Sequence, residues 1–283
     1  MEEEMEINRA KIILISLVLI IGLIWSAILS LPDNQLHLVF CDVGQGDATL
    51  IYQGSNQILI DGGPDQRVLG CLSYHLPFWD REIEMVIVTH PESDHITGLI
   101  DVIERYNVRQ FVINSVGKDS AVFKEFQAAV LAEKASVYFP KAGDRIKANS
   151  LVLSFLWPQH QEKVLGVNAE GEVNDTSLVF ELAYGQFEAL LTGDISTKVE
   201  SQLDLDDIEI LKVAHHGSKY STSEEFLEKS RPELAIISVG KNSFGHPTQE
   251  VIEKLNQAGV ELLRTDQEGE IEVVSNGETW YTQ

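Results

Sequence analysis

Two imidazoles and two carboxylates fall within the six residues His90-Pro91-Glu92-Ser93-Asp94-His95, directly after the apolar run Met85-Val86-Ile87-Val88-Thr89. Imidazole nitrogen and carboxylate oxygen are the usual ligands of zinc, manganese and iron. A turn at the end of a strand can aim several of them at one spot. Thr192-Gly193-Asp194 and His215-His216-Gly217-Ser218 follow two further apolar runs. Ligand-bearing turns at three separate strand ends describe a two-metal hydrolase better than a chance scatter of polar residues. A lone histidine more often makes a local hydrogen bond than a metal bond, and His37, His75 and His160, outside any motif, are read that way.

The elements that must hold these turns alternate along the chain. Leu36–Cys41, Thr49–Gln53 and Gln57–Ile60 read as strands joined by glycine-rich turns, and Met85–Thr89 as a buried strand. A helix is expected over Ile96–Tyr106, a strand over Gln110–Ile113 and a helix over Ala121–Lys134. Val137–Phe139 and Leu151–Leu156 read as strands, and Gln159–Val173 as a long loop near the site. In the second half, Leu178–Leu182 and Glu188–Leu191 form a hairpin, and Glu209–Val213 leads into the paired histidines. Ser223–Lys229 and Gln249–Gln257 read as helices flanking a strand at Leu234–Val239, and Leu262–Tyr281 is β-rich. Early hairpins followed by strand–helix alternation, in two halves, fit two mixed sheets with helices outside.

Seven ordered blocks carry a family resemblance: Asp42-Val43-Gly44-Gln45-Gly46-Asp47-Ala48, Asp61-Gly62-Gly63, Thr89-His90 through Gly98, Asn174 through Val179, Thr192-Gly193-Asp194, Ala214 through Ser218, and Gly245-His246-Pro247. Over roughly residues 36 to 275 the chain resembles the metallo-β-lactamase superfamily, and more closely the hydrolase domain of its competence-protein (ComEC-type) branch. The resemblance implies a four-layer αββα sandwich with a two-metal site at one edge, between the sheets. It assigns His90 and Glu92 to a first divalent ion, with Asp175 assisting. Asp94, His95 and His215 go to a second ion, with Asp194 bridging the two. The ions are expected to be zinc or manganese. Two departures stand out: Glu92 replaces the second histidine of the superfamily motif, and Asn174-Asp175 occupies the place of another.

Two such ions activate water near neutral pH and stabilise developing negative charge. The departing oxygen needs a proton, for which His246 is the first candidate and His216 the second; Asp94 is placed with the catalytic residues. Asp61 is expected to support the metal loop from behind, with His216, Ser218 and Lys212 supporting it or touching substrate. Asp42 to Asp47 lacks the lysine and the Ser/Thr ending of a P-loop and reads as a tight turn beside the site.

A formal net charge of −23 over 283 residues argues against strong non-specific attraction to a polyanion. It leaves a nucleic-acid substrate open, because bound divalent ions offset local carboxylate charge. Lys212, Lys219 and Lys241 lie near the motif loops, as a small basic patch or as solvated surface lysines. Cys41 and Cys71 can pair only if the fold brings them together.

Ile12 to Leu31 is an uncharged apolar run long enough to cross a bilayer. Arg9 and Lys11 precede it, and no Lys or Arg follows until Arg67. The basic residues place the N-terminus, 1–11, in the cytoplasm, the anchor at 12–31, and the hydrolase domain, 33–283, outside. A cleaved signal peptide is the rival reading. The expected activity is therefore that of a single-pass, membrane-anchored, extracytoplasmic hydrolase of phosphodiesters, with DNA a possible substrate. Its alternatives are hydrolysis of another ester or amide (a phosphocholine ester, a lactam-like bond) and a non-catalytic binding module that keeps the fold.

Overall fold

The computed structural model describes residues 2–29, 33–161, 165–168 and 172–283, with some side chains of the first helix and those of 167–168 outside the description. Residues 1–33 and 34–283 form two separate units. The first is one helix, α1 (Glu2–Leu29). From Ile12 to Leu23 the apolar side chains described there are at least half exposed. Among the described residues no helix is long and apolar enough to cross a membrane. The expected anchor, 12–31, ends in residues that lie outside them.

The second unit is built on two sheets. Its strands, in chain order, are β1 (Leu36–Phe40), β2 (Thr49–Gln53), β3 (Asn56–Ile60), β4 (Met85–Val88), β5 (Gln110–Ile113), β6 (Ser136–Tyr138), β7 (Arg145–Ala148), β8 (Leu151–Trp157), β9 (Val179–Tyr184), β10 (Phe187–Leu191), β11 (Ile210–Lys212), β12 (Leu234–Ile237), β13 (Glu261–Arg264), β14 (Ile271–Ser275) and β15 (Trp280–Thr282). One sheet runs β15-β14-β1-β2-β3-β4-β5-β6, the other β7-β8-β9-β10-β11-β12-β13. In each, antiparallel hairpins pass into parallel pairing, from β3 to β4 in the first and from β10 to β11 in the second.

Strand alternation divides the apolar residues among three cores, and three cores require four layers. On β4, Val86 and Val88 face helices α2 (Val68–His75), α3 (Ser93–Arg105) and α4 (Ala121–Glu133), while Met85 and Ile87 face the other sheet. On β12, Leu234 and Ile236 join that inter-sheet core, while Ala235 and Ile237 pack on the far side with α5 (Glu224–Ser230) and α6 (Gln249–Gln257). The αββα sandwich is thus the fold.

The structure adds to and moves some of the expected elements. Helix α3 starts at Ser93, not Ile96, so Asp94 and His95 stand in its first turn. Helix α2 was not expected: it has no side-chain N-cap and no acidic first turn to announce it. The expected loop 159–173 contains a short strand, Val167–Asn168, paired with Val116–Gly117. Cys41 and Cys71 form a disulfide with Cα atoms 5.8 Å apart, joining the end of β1 to α2.

Candidate metal centre

The polar turns leave the same end of both sheets. Asp61 follows β3, Thr89 and His90 follow β4, Asp194 follows β10 and the His215-His216 pair follows β11. His215, His216 and Gly217 all have positive φ, 52°, 54° and 78°. Such a conformation is uncommon for histidine, and the run swings the chain back so that adjacent rings point in different directions. Gly217 admits no side chain, since an added Cβ would lie 2.6 Å from Pro247 Cβ.

One carboxylate oxygen organises the centre. Asp194 Oδ2 lies 3.9 Å from His90 Nε2, 3.4 Å from His95 Nε2, 4.0 Å from His215 Nε2 and 3.5 Å from His216 Nε2. Asp94 Oδ2 is 3.5 Å from His216 Nε2. These separations are too long for good hydrogen bonds. The Nε2 atoms of His90, His95 and His216 and Oδ1 of Asp194 are all buried without a hydrogen-bond partner.

The other ring nitrogens explain why. His95 Nδ1 lies 2.8 Å from Asp61 Oδ2, and His216 Nδ1 lies 2.9 Å from the Ser238 carbonyl, so each donates its proton there. His90 Nδ1 lies 3.0 Å from Thr89 Oγ1, which itself donates to Asp61 at 2.6 Å. With their protons on Nδ1, all three rings turn bare Nε2 lone pairs towards a carboxylate. Lone pairs facing a carboxylate in a dry site repel unless a cation lies among them. The donor set fits a divalent ion, with backing hydrogen bonds of the kind that orient metal-bound histidines.

Electrostatics point the same way. Burial opposes charge on His95, but Asp194 and Asp61 outweigh it and push its pKa well up. His216 is raised likewise, against burial, by Asp194 and Asp47. Asp194 is held well below the carboxylate range despite burial, chiefly by His216 and His95. Burial first, and then positive charge placed at His95, hold the His90 pKa well down. A field that draws protons to two imidazoles also draws a metal cation.

The structure does not bring every expected residue to this point. Glu92, assigned to the first ion, is turned away. It is the N-cap position of α3, and its carboxylate lies 2.6 and 2.5 Å from Lys118 Nζ. Asp175 accepts the Ser196 N–H at 2.8 Å and so ties a neighbouring loop. The two adjacent histidines differ in place: the His216 side chain is 2% exposed and in the centre, the His215 side chain 27% exposed at its mouth. His215 Nε2 is 3.3 Å from Asn174 Nδ2. Ser218 is buried and its N–H donates to the His215 carbonyl at 2.9 Å, so it shapes the turn and does not face the opening. His246 lies beyond His215, with ring centres 5.4 Å apart. Burial first, and then His215 and His216, lower its pKa.

Asp47 and Lys212 were not legible as a pair. Lys212 is buried, which removes it from any surface basic patch, and its Nζ lies 2.5 Å from Asp47 Oδ2. Asp47, His95, Asp194 and His216 each bring a ligand atom within 4.8 Å of the others. Asp47, however, faces the Nδ1 edge of His216, at 3.5 Å, and of His95, at 3.8 Å, and it is neutralised by Lys212. We therefore place it behind the rings and not among the ligands. Gly46 lets this loop approach: an added Cβ would meet the Asp94 carbonyl oxygen at 2.2 Å.

Residues 41–241 match the metallo-beta-lactamase superfamily. The chain is 30% identical over 264 residues to ComE operon protein 3 of Bacillus subtilis, covering 82% of this chain and 32% of that protein. It is 31% identical over 252 residues to Recombination protein 2 of Haemophilus influenzae, covering 87% of this chain and 29% of that one. Among solved structures, the metallo-beta-lactamase fold protein YhfI of Bacillus subtilis superposes with a TM-score of 0.57 at 11% identity, over 84% of this chain and 99% of that one. CmlA, a diiron beta-hydroxylase from Streptomyces venezuelae, gives 0.54 at 12% identity, over 86% of this chain and 54% of that one. The structural likenesses show the fold alone. The chain belongs to the metallo-beta-lactamase superfamily. It is similar to competence proteins, spanning about a third of the length of those cited.

Proposed function

We propose that this protein is a membrane-anchored, extracytoplasmic, metal-dependent phosphodiesterase with DNA among its substrates. The observation that carries the hydrolase reading is the convergence of three unpartnered, buried Nε2 atoms on Asp194. His95, His216, Asp94 and Asp194 would hold one divalent ion, and His90, Asp194 and His215 a second, zinc or manganese. When bound, such ions supply an activated water near neutral pH and Lewis acidity towards the phosphoryl oxygens.

The remaining work falls to the chain itself. Asp194 offers two oxygens on one rigid turn. Asp61 fixes His95 directly and His90 through Thr89, so neither ring can rotate its proton inward. A cavity of about 440 Å³ lined by Asn174, Asp175, Asp194, Ser196, His215 and Tyr220 leads to the centre and gives substrate its approach. His246 stands beyond His215, with ring centres 5.4 Å apart, and would give the departing oxygen its proton. Its lowered pKa makes it a better proton donor on the acid side of neutrality.

The phosphodiester and DNA parts of the reading are supported by similarity to competence proteins over about a third of their length. The membrane part is supported by the uncharged run 12–31, with Arg9 and Lys11 before it. The Cys41–Cys71 disulfide suits an oxidising compartment. The test uses the full chain in detergent: metal analysis, then a panel of single-stranded DNA, an aryl phosphodiester, a phosphomonoester and a lactam. Metal-dependent cleavage of the two diesters is expected. Turnover of the lactam or the monoester alone would overturn the substrate class. Externally added protease should digest the domain in intact, outer-layer-permeabilised cells; full protection would overturn the topology.

A further inference from the structure

The end of the sandwich opposite the metal centre carries an unusual surface. Tyr74, Phe78 and Trp79 are 82%, 80% and 51% exposed. Tyr74 projects from the last turn of α2. Phe78 and Trp79 occupy the middle of a turn closed by Asp80 N–H to the Pro77 carbonyl, at 2.9 Å. Asp80 Oδ2 accepts from Gln57 Nε2 at 2.8 Å, pinning that turn to the start of β3. The rings are thus held out on fixed backbone. Neighbouring exposed aromatics of this kind mark a surface that something covers.

Three hairpin turns at this end are uncharged, Gln53-Gly54-Ser55-Asn56, Asn149-Ser150 and Tyr184-Gly185-Gln186, in a chain of net charge −23; a fourth, Asn276-Gly277-Glu278-Thr279, carries one exposed acid. Hydrogen bonds gather them: Ser150 Oγ to Gln53 Oε1 at 2.5 Å, Gln53 Nε2 to the Asn34 carbonyl at 3.1 Å, and Gln186 N–H to the Gly277 carbonyl at 2.6 Å. The nearest acidic groups are engaged, Glu82 with Arg109 at 2.6 Å and Glu84 with the Gln57 N–H at 2.8 Å. Arg81 and Arg105 are exposed nearby. Exposed acids also stand at this end, Asp33 at the chain's entry, Glu104 in the last turn of α3 and Glu278 in the β14–β15 turn, and Glu209, Glu233 and Glu261 follow where the second sheet's parallel strands begin.

The chain enters the domain at this same end, through Asn34 and β1. Only three peptide steps separate Asn34 from Leu31, the last residue of the apolar run, a reach of roughly 10 Å. If 12–31 lies in a bilayer, as the proposed function holds, the chain leaves the bilayer within that reach of Asn34. Tyr and Trp prefer the headgroup level, where an apolar ring and a polar edge are both satisfied. We propose that this face rests on the bilayer, with Tyr74, Phe78 and Trp79 seated among the headgroups and the metal centre directed away from it.

The experiment uses the full chain reconstituted in vesicles of phosphatidylcholine and phosphatidylglycerol, compared with Trp79→Phe. That change keeps an aromatic ring at a half-exposed position, and metal content checks the fold. The difference between the two emission spectra isolates Trp79 from Trp25, Trp157 and Trp280. Expected is a difference emission quenched more by lipid brominated near the headgroup than by lipid brominated near the chain terminus. If the chain floats with vesicles but the Trp79 emission is water-like and unquenched, the face is free of lipid and the proposal is wrong, although the anchor stands. That outcome includes a face reserved for a protein. If the chain does not float with vesicles, the anchor reading itself fails and takes this proposal with it.

Discussion

Among the described residues, two clusters are built from histidines and carboxylates, and only one of the two can hold a metal. On the helix side of the first sheet, His37 Nδ1 lies 2.6 Å from Glu272, Tyr52 donates to the same carboxylate at 3.0 Å, and His75 Nε2 lies 2.6 Å from Glu270. His37 stacks on Tyr52 with ring centres 4.3 Å apart. Cys41 and Cys71 reach within 4.8 Å of Glu270, but their sulfurs are joined to each other. Each acid there has a donor in contact. At the other cluster the rings spend Nδ1 on Asp61, Thr89 and Ser238, and leave Nε2 bare at 3.4–3.9 Å from Asp194. Residue type is the same in both; unspent lone pairs distinguish them.

The largest expected effect breaks the open cluster at its hub. Asp194→Ala should bring diesterase activity to background and empty the metal from the purified chain, measured by elemental analysis; full activity would refute the shared-carboxylate arrangement. His246→Ala comes next. It should keep its metal yet lose about 10²–10⁴-fold on a diester with a poor leaving group, while an activated aryl diester is much less affected. Equal loss on both, or loss of metal, would make His246 a ligand or a positioning residue. Asp61→Asn tests the backing of the rings. Metal affinity should fall about 10–100-fold by competition with a chelator, with activity restored at high metal.

The smallest effect belongs to the closed cluster. Burial opposes ionisation of Glu272, yet hydrogen bonds from His37 and Tyr52 hold its pKa below the usual value. A carboxylate depressed on folding adds stability above the ordinary glutamate range and loses it as pH falls through the folded value. Glu272→Gln should therefore flatten the acid side of a thermal-stability profile, with metal content and turnover unchanged. A loss of metal in this variant would erase the distinction between the clusters.

Much of this could be read in the residues. His90 and Asp194 stand just past strand ends because apolar runs precede them, Asp94 and His95 follow within five residues in the first turn of α3, and Gln249–Gln257 was readable because Val251 and Leu255 recur at helical spacing and are buried. At the site, three things were not readable. Adjacent residues carry no periodicity, so only the positive φ of His215 and His216 decides which ring enters. Glu92 has the right spacing, but the helix it caps points it to Lys118, 26 residues away. Asp47 and Lys212 meet across 165 residues, and no local pattern announces a buried pair of that separation.

The centre is also a seam. Asp61, His90 and His95 belong to the first sheet's end, Asp194 and His216 to the second's, and the apolar layer between the sheets supplies no covalent tie. A cation among these donors clasps the two halves of the sandwich. Ligand that binds only the folded state adds about 2.7 kcal/mol at a hundredfold excess over its Kd. The lifetime of this protein would then follow the supply of metal around it: a domain starved of metal would be not just idle but looser, and a readier target for proteases.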